Sequence, residues 1–95
     1  VAPSRGLGDV YKRQEVFECK ASVCAILAGA ALSFQDIKLQ TRRDKSDLHI
    51  IAGSTLFSVS LASILSIERQ PFPDIHTIEY EISIKDGGSI TVDVF

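Results

Sequence analysis

The sequence predicts a mainly β fold, a small antiparallel meander or partly open barrel of six to seven strands. Three observations predict it. In residues 78–95, Ile78, Tyr80, Ile82 and Ile84 alternate with Glu79, Glu81, Ser83 and Lys85, and Ile90, Val92 and Val94 alternate with Ser89, Thr91 and Asp93. That is the period of half-buried strands. Shorter stretches of the same kind recur from residue 15 to residue 67 at a spacing of about 8–12 residues. Turn-forming groups separate them: Gly29, Gly53-Ser54, the charged run 41–47 and Asp86-Gly87-Gly88.

Composition bounds the rest. The chain has 95 residues, 45% hydrophobic and 23% charged, a globular balance. The segment 1–14 is expected to stand apart. Residues 4–14 (SRGLGDVYKRQ) resemble a translated sequencing adapter, so the fold is sought in a single small β-domain, residues 15–95, read as a fragment. The formal charge is −2, and without Arg5, Asp9, Lys12 and Arg13 it is near −4. A net acidic domain speaks against nucleic-acid binding, which depends on neutralising phosphates. The uncharged run 21–35, about 15 residues long, is too short for an ordinary membrane helix. Cys19 and Cys24 fall on opposite faces of a strand and cannot bridge locally. Reduced, buried thiols and a cytoplasmic setting are the expectation.

Taken in order, residues 15–27 carry two periods. Phe17, Cys19, Ala21, Val23, Ala25 and Leu27 alternate with Glu18, Lys20 and Ser22, while Val16, Cys19, Val23 and Leu27 also fit a helical face. A short internal likeness favours the strand. Residues 26–32 (ILAGAAL) resemble residues 50–56 (IIAGSTL), where flanking β-branched and aromatic residues mark strand–turn–strand. Residues 32–42 follow as a strand with a slip. Leu32 and Phe34 share one parity, Ile37 and Leu39 the other, which places a β-bulge or tight turn at Gln35-Asp36. Residues 41–47 are a charged turn, 48–52 a strand, and 56–61 another. Ala62-Ser63 marks a bend. Pro71 and Pro73 place a loop at residues 70–76. The last hairpin needs a three-residue loop to keep its apolar residues on one face. With Asp86-Gly87-Gly88 as that loop, Lys85 pairs with Ser89, Ile84 with Ile90, Ile82 with Val92 and Tyr80 with Val94, and Gly88 takes the left-handed position.

Several of these stretches together resemble a known superfold. They are Gly29-x-x-Leu32-x-Phe34, Ile37-x-Leu39-x-Thr41, a charged loop, Val59-Ser60-Leu61-x-x-Ile64-x-x-Ile67-Glu68, and the hairpin with Lys85-Asp86-Gly87. In this order they resemble the PH-like superfold, particularly its GRAM and bacterial PH-like members. The resemblance covers most of residues 19–95. Two features depart from it. Ser60 stands where the family often has proline, and no C-terminal helix follows Phe95. The resemblance implies a binding module, and some family members bind phosphoinositide headgroups at the loop that here carries Lys38, Arg42, Arg43 and Lys45.

Those four residues are the candidate anion- or lipid-binding site, since Arg and Lys suit phosphate contact. Asp44 and Asp47 share the turn and offset much of its charge. Signals for an enzyme are absent. No GxSxG, HExxH, Walker A or GxGxxG pattern occurs, and no catalytic residue, metal ligand or cofactor is assigned. His49 is expected on a solvent-facing strand position. Glu79 and Glu81 are expected to form a solvated outer face. The functional expectation is a non-catalytic module that binds a protein, a peptide or an anionic lipid. Two alternatives stand beside it: a regulatory or accessory domain of a longer enzyme, and a self-associating structural β-protein pairing through residues 56–67.

Overall fold

The alternating stretches become seven antiparallel strands. A computed structural model describes Leu7 and residues 16–72 and 77–95. The strands are β1 (Phe17–Leu27), β2 (Ala30–Arg43), β3 (Asp47–Ala52), β4 (Thr55–Ser60), β5 (Ile64–Phe72), β6 (Thr77–Ile84) and β7 (Gly88–Val94). They form one sheet in the order β4-β3-β2-β1-β7-β6-β5, curled into a half-barrel. The chain runs as two meanders joined where β1 pairs with β7, which leaves β4 and β5 as the two outer strands. A short 3-10 turn, Leu61–Ser63, links them at the expected bend.

The inner face holds the core. Val23 of β1, Leu39 of β2, Leu48 of β3, Ile82 of β6, and Ile90 and Val92 of β7 are completely shielded from solvent. Two ring contacts bridge strands that are not neighbours, which the curl makes possible. Phe17 meets Tyr80 edge to face at 6.1 Å, and Phe34 lies nearly parallel to Phe57 at 6.4 Å. Leu7 is also fully buried in this core. Leu7 belongs to the segment 1–14 that the sequence sets apart. The rest of that segment lies outside the described residues.

The ambiguous first stretch is a strand, as the internal likeness suggests. Both copies of the repeat are two-residue hairpin loops, but the loop slides by one position between them. Leu27 pairs with Ala30 around Ala28-Gly29, whereas Ala52 pairs with Thr55 around Gly53-Ser54. The slip in β2 is a bulge inside one continuous strand. Ala21 pairs with Ile37 and Val23 with Phe34, so Ser22 alone opposes Gln35 and Asp36. Asp36 takes a positive φ of 49° and its N–H donates to the Ser22 hydroxyl at 3.1 Å. The extra residue turns Leu32, Phe34, Ile37 and Leu39 to one face despite their change of parity.

Two expectations need correction. Residues 70–72 are not loop but the end of β5, with Pro71 paired to Ile78. Proline is tolerated there because β5 is an outer strand, where a missing N–H breaks no ladder bond on the open side. Residues 73–76 lie outside the described residues. The last hairpin keeps a three-residue loop, but the loop is Lys85–Gly87. Ile84 pairs with Gly88, Ile82 with Ile90, Tyr80 with Val92 and Ile78 with Val94. The left-handed residues are Asp86 at φ 62° and Gly87 at φ 80°. Gly88 is extended, and its role is different. A β-carbon there would sit 3.1 Å from the Ile26 carbonyl oxygen and 3.2 Å from Ile84 Cβ. It lets β1 pass close to the hairpin.

Candidate functional site

The basic turn was the candidate from sequence, and its residues do not converge on one surface. Thr41 and Leu39 face the core, so Lys38 and Arg42, of opposite parity, lie on the outer face. Arg43 has the parity of Thr41 and turns towards the inner side of the rim. Its Nε donates to the Asp44 carbonyl at 3.0 Å. Lys45 sits at the exposed tip of the turn. Adjacent positions in a strand point opposite ways, so Arg42 and Arg43 cannot jointly grip one phosphate from this backbone.

What the turn does contain is a hydrogen-bonded clasp centred on Asp44. Its Oδ1 accepts from the N–H groups of Ser46 and Asp47, both at 2.8 Å. Its Oδ2 meets His49 Nε2 at 2.7 Å, and His49 Nδ1 meets the Ser58 hydroxyl at 2.7 Å. The imidazole bridges the Asp44 carboxylate and the Ser58 hydroxyl through its two nitrogens. One carboxylate thus fastens the turn to β3 and, through the imidazole, to β4. These bonds hold the Asp44 carboxyl well below the usual carboxylate range, the His49 bond first. Asp44, Asp47 and His49 bring ligand-type atoms within 4.8 Å of one another. Both Asp44 oxygens already accept from this clasp, however, and the group's chemistry is that of a turn lock. His49 lies on the outer face as expected, tied rather than merely solvated.

The outer strands offer a different surface. Just after β4, the Leu61 N–H donates to the Ser46 carbonyl at 2.9 Å. Counting back by twos along an antiparallel ladder, Val59, Phe57 and Thr55 bond to β3. Leu56, Ser58 and Ser60 therefore aim their backbone N–H and C=O groups away from the sheet. Among the described residues β4 pairs with β3 alone. The strand reads Thr-Leu-Phe-Ser-Val-Ser, with no charge and no proline, and Leu56 is 63% exposed. The opposite edge differs: β5 carries Glu68, Arg69 and Pro71, the devices that keep strand edges from pairing. Among the described residues, one edge is guarded and the other is open.

The convex face near the ends of β5, β6 and β7 holds an open cleft of about 250 Å³, lined by Phe72, Thr77, Glu79, Asp93 and Phe95. Sequence alternation placed Glu79 on the outer face but did not mark it as part of a site. Comparisons with protein-family models, curated proteins and solved structures return no match. Among the described residues, no helix is long and apolar enough to cross a membrane.

Proposed function

We propose that the protein is a non-catalytic interaction module that receives an extended segment of a partner protein on the free edge of β4. One observation carries the reading: β4 ends the sheet with outward-facing backbone groups on Leu56, Ser58 and Ser60 and with no charge or proline to repel a further strand. Strand addition draws its affinity from main-chain hydrogen bonds and its specificity from alternate side chains. Here the incoming strand would lie beside Leu56, which is exposed, and beside the Ser58 and Ser60 hydroxyls. The Asp44–His49–Ser58 clasp supports the reading by holding β4 against β3 while its other side stays open. Pairing of two copies through the same edge is the second reading, favoured by the neutral, self-complementary character of Thr55–Ser60.

The test uses the chain with two substitutions on the edge. Leu56→Lys adds a charge to an exposed position. Ser60→Pro removes an outward N–H at a residue whose φ of −61° already suits proline. Neither touches the ladder to β3. Linear peptides selected by display on the unsubstituted chain are expected to lose at least about tenfold in affinity for the doubly substituted chain, about 1.4 kcal/mol. Peptides that bind both chains equally, or no enrichment at all, overturn the reading. Sedimentation over a concentration series separates the second reading. A mass that doubles with concentration and reverts in the substituted chain assigns the edge to a second copy.

A further inference from the structure

The cleft at the far side of the sheet from β4 has a chemistry of its own. Glu79 and Asp93 stand directly opposite one another on β6 and β7. Like charges in that relation destabilise a sheet. Neither has an ion pair to another described residue. Lys20, on the next strand, is held by Asp36 at 3.6 Å. Phe72 pairs with Thr77 and so shares the face of Glu79. Phe95 follows β7 with the parity of Asp93, and its N–H donates to the Lys20 carbonyl at 3.1 Å. The cleft is thus lined by two carboxylates and two phenyl rings. At about 250 Å³ it is smaller than the roughly 300–1,000 Å³ of small-molecule sites, a size that suits a single side chain.

We propose that this cleft binds the cationic side chain of a partner peptide, arginine foremost, with the guanidinium bridging Glu79 and Asp93 and its stem against Phe72 and Phe95. A guanidinium has five donors in a planar fork and reaches two neighbouring carboxylates, where a lysine ammonium offers a compact point charge. Its plane also stacks on aromatic rings. The carboxylate state of the free protein agrees. The Glu79 carboxyl is held above its usual range, first by desolvation, then by its hydrogen bond with Asp93 and by repulsion from Asp93 and Glu81. A bound cation reverses the repulsion, so binding releases a proton and strengthens as pH rises through that raised value. The site is independent of the β4 edge.

The full chain is titrated with Ac-Gly-Arg-Gly-amide while backbone and ring resonances are followed. Saturable shifts are expected at Phe72, Glu79, Asp93 and Phe95. The neutral Ac-Gly-norleucine-Gly-amide is expected to give none, and agmatine to bind several-fold more weakly than the arginine peptide. Glu79→Gln with Asp93→Asn is expected to weaken the arginine peptide at least about tenfold while raising the thermal midpoint, because the repulsion is gone. Binding retained by that chain, equal binding of the norleucine peptide, or no saturable shift overturns the proposal. Agmatine binding as tightly as the peptide overturns the assignment to a peptide. The Leu56→Lys/Ser60→Pro chain is expected to bind the arginine peptide unchanged, so failure at the edge and failure at the cleft are read separately.

Discussion

Thr41 is the clearest residue at which the fold carries a cost. It lies on the inner face of β2, 1% exposed, and its hydroxyl finds no hydrogen-bond partner among the described residues. An unsatisfied buried polar group costs about 1–3 kcal/mol. Thr41→Val keeps the shape and the β-branched strand preference while removing the hydroxyl, and is expected to stabilise the chain by about 1 kcal/mol in urea denaturation. The thiols divide by face. Cys19 is half-buried, and burial pushes it up to about 11, whereas Cys24 lies on the outer face and is exposed. The expectation of buried thiols thus fails at Cys24. Iodoacetamide at pH 8 is expected to modify Cys24 first and Cys19 only on a far slower scale, read by peptide mass spectrometry. Glu79 gives a pH signature. Its folded value is raised above its unfolded one, so the stability linked to it is present below the usual glutamate range and is lost as pH rises through the raised value. Glu79→Gln is expected to flatten the fall of the thermal midpoint as pH rises above the usual glutamate range. A midpoint that keeps its fall would place the repulsion elsewhere.

Among the elements, the bulge in β2 was legible and the register of the last hairpin was only half so, for one physical reason. A bulge leaves a mark in the sequence, because Leu32 and Phe34 change parity against Ile37 and Leu39. Sliding a three-residue loop by one position leaves no such mark. It changes every partner by two residues and keeps every side chain on its face. Lys85–Gly87 and residues 86–88 both contain glycine, and alternation cannot choose between them. The observed register brings Gly88 against the Ile26 carbonyl, a contact from elsewhere in the chain that alternation does not encode. Gly88→Ala is therefore expected to destabilise by about 1 kcal/mol or more through overpacking, read as a lowered denaturation midpoint. No change would mean that β1 yields freely at that crossing. The same slide makes the cleft. The register expected from sequence sets Asp93 against Glu81, whereas the observed one sets it against Glu79, which lines the cleft with the two phenyl rings. The basic turn disperses for the complementary reason. Neighbours in sequence gather charge on paper, and a strand then sends Arg42 and Arg43 to opposite faces.

At the scale of the whole molecule, a seven-stranded sheet curled by half leaves two edges, and the sequence treats them differently. Pro71, Glu68 and Arg69 defend β5, while β4 is neutral and open. The alternation of residues 56–61 made β4 predictable, and the unguarded character of that stretch was readable too. That β4 ends the sheet was not, because sheet order depends on the β1–β7 pairing, a contact between the two ends of the chain that local periodicity does not encode. The buried Leu7 belongs to the same class of long-range fact. The central claim is that β4 accepts another strand, and site-resolved amide exchange with a display-selected peptide tests it most directly. The account predicts that the outward-facing N–H groups of Leu56, Ser58 and Ser60 exchange freely in the chain alone and become protected when the peptide is bound. Bound peptide with those three amides still exchanging freely would contradict it.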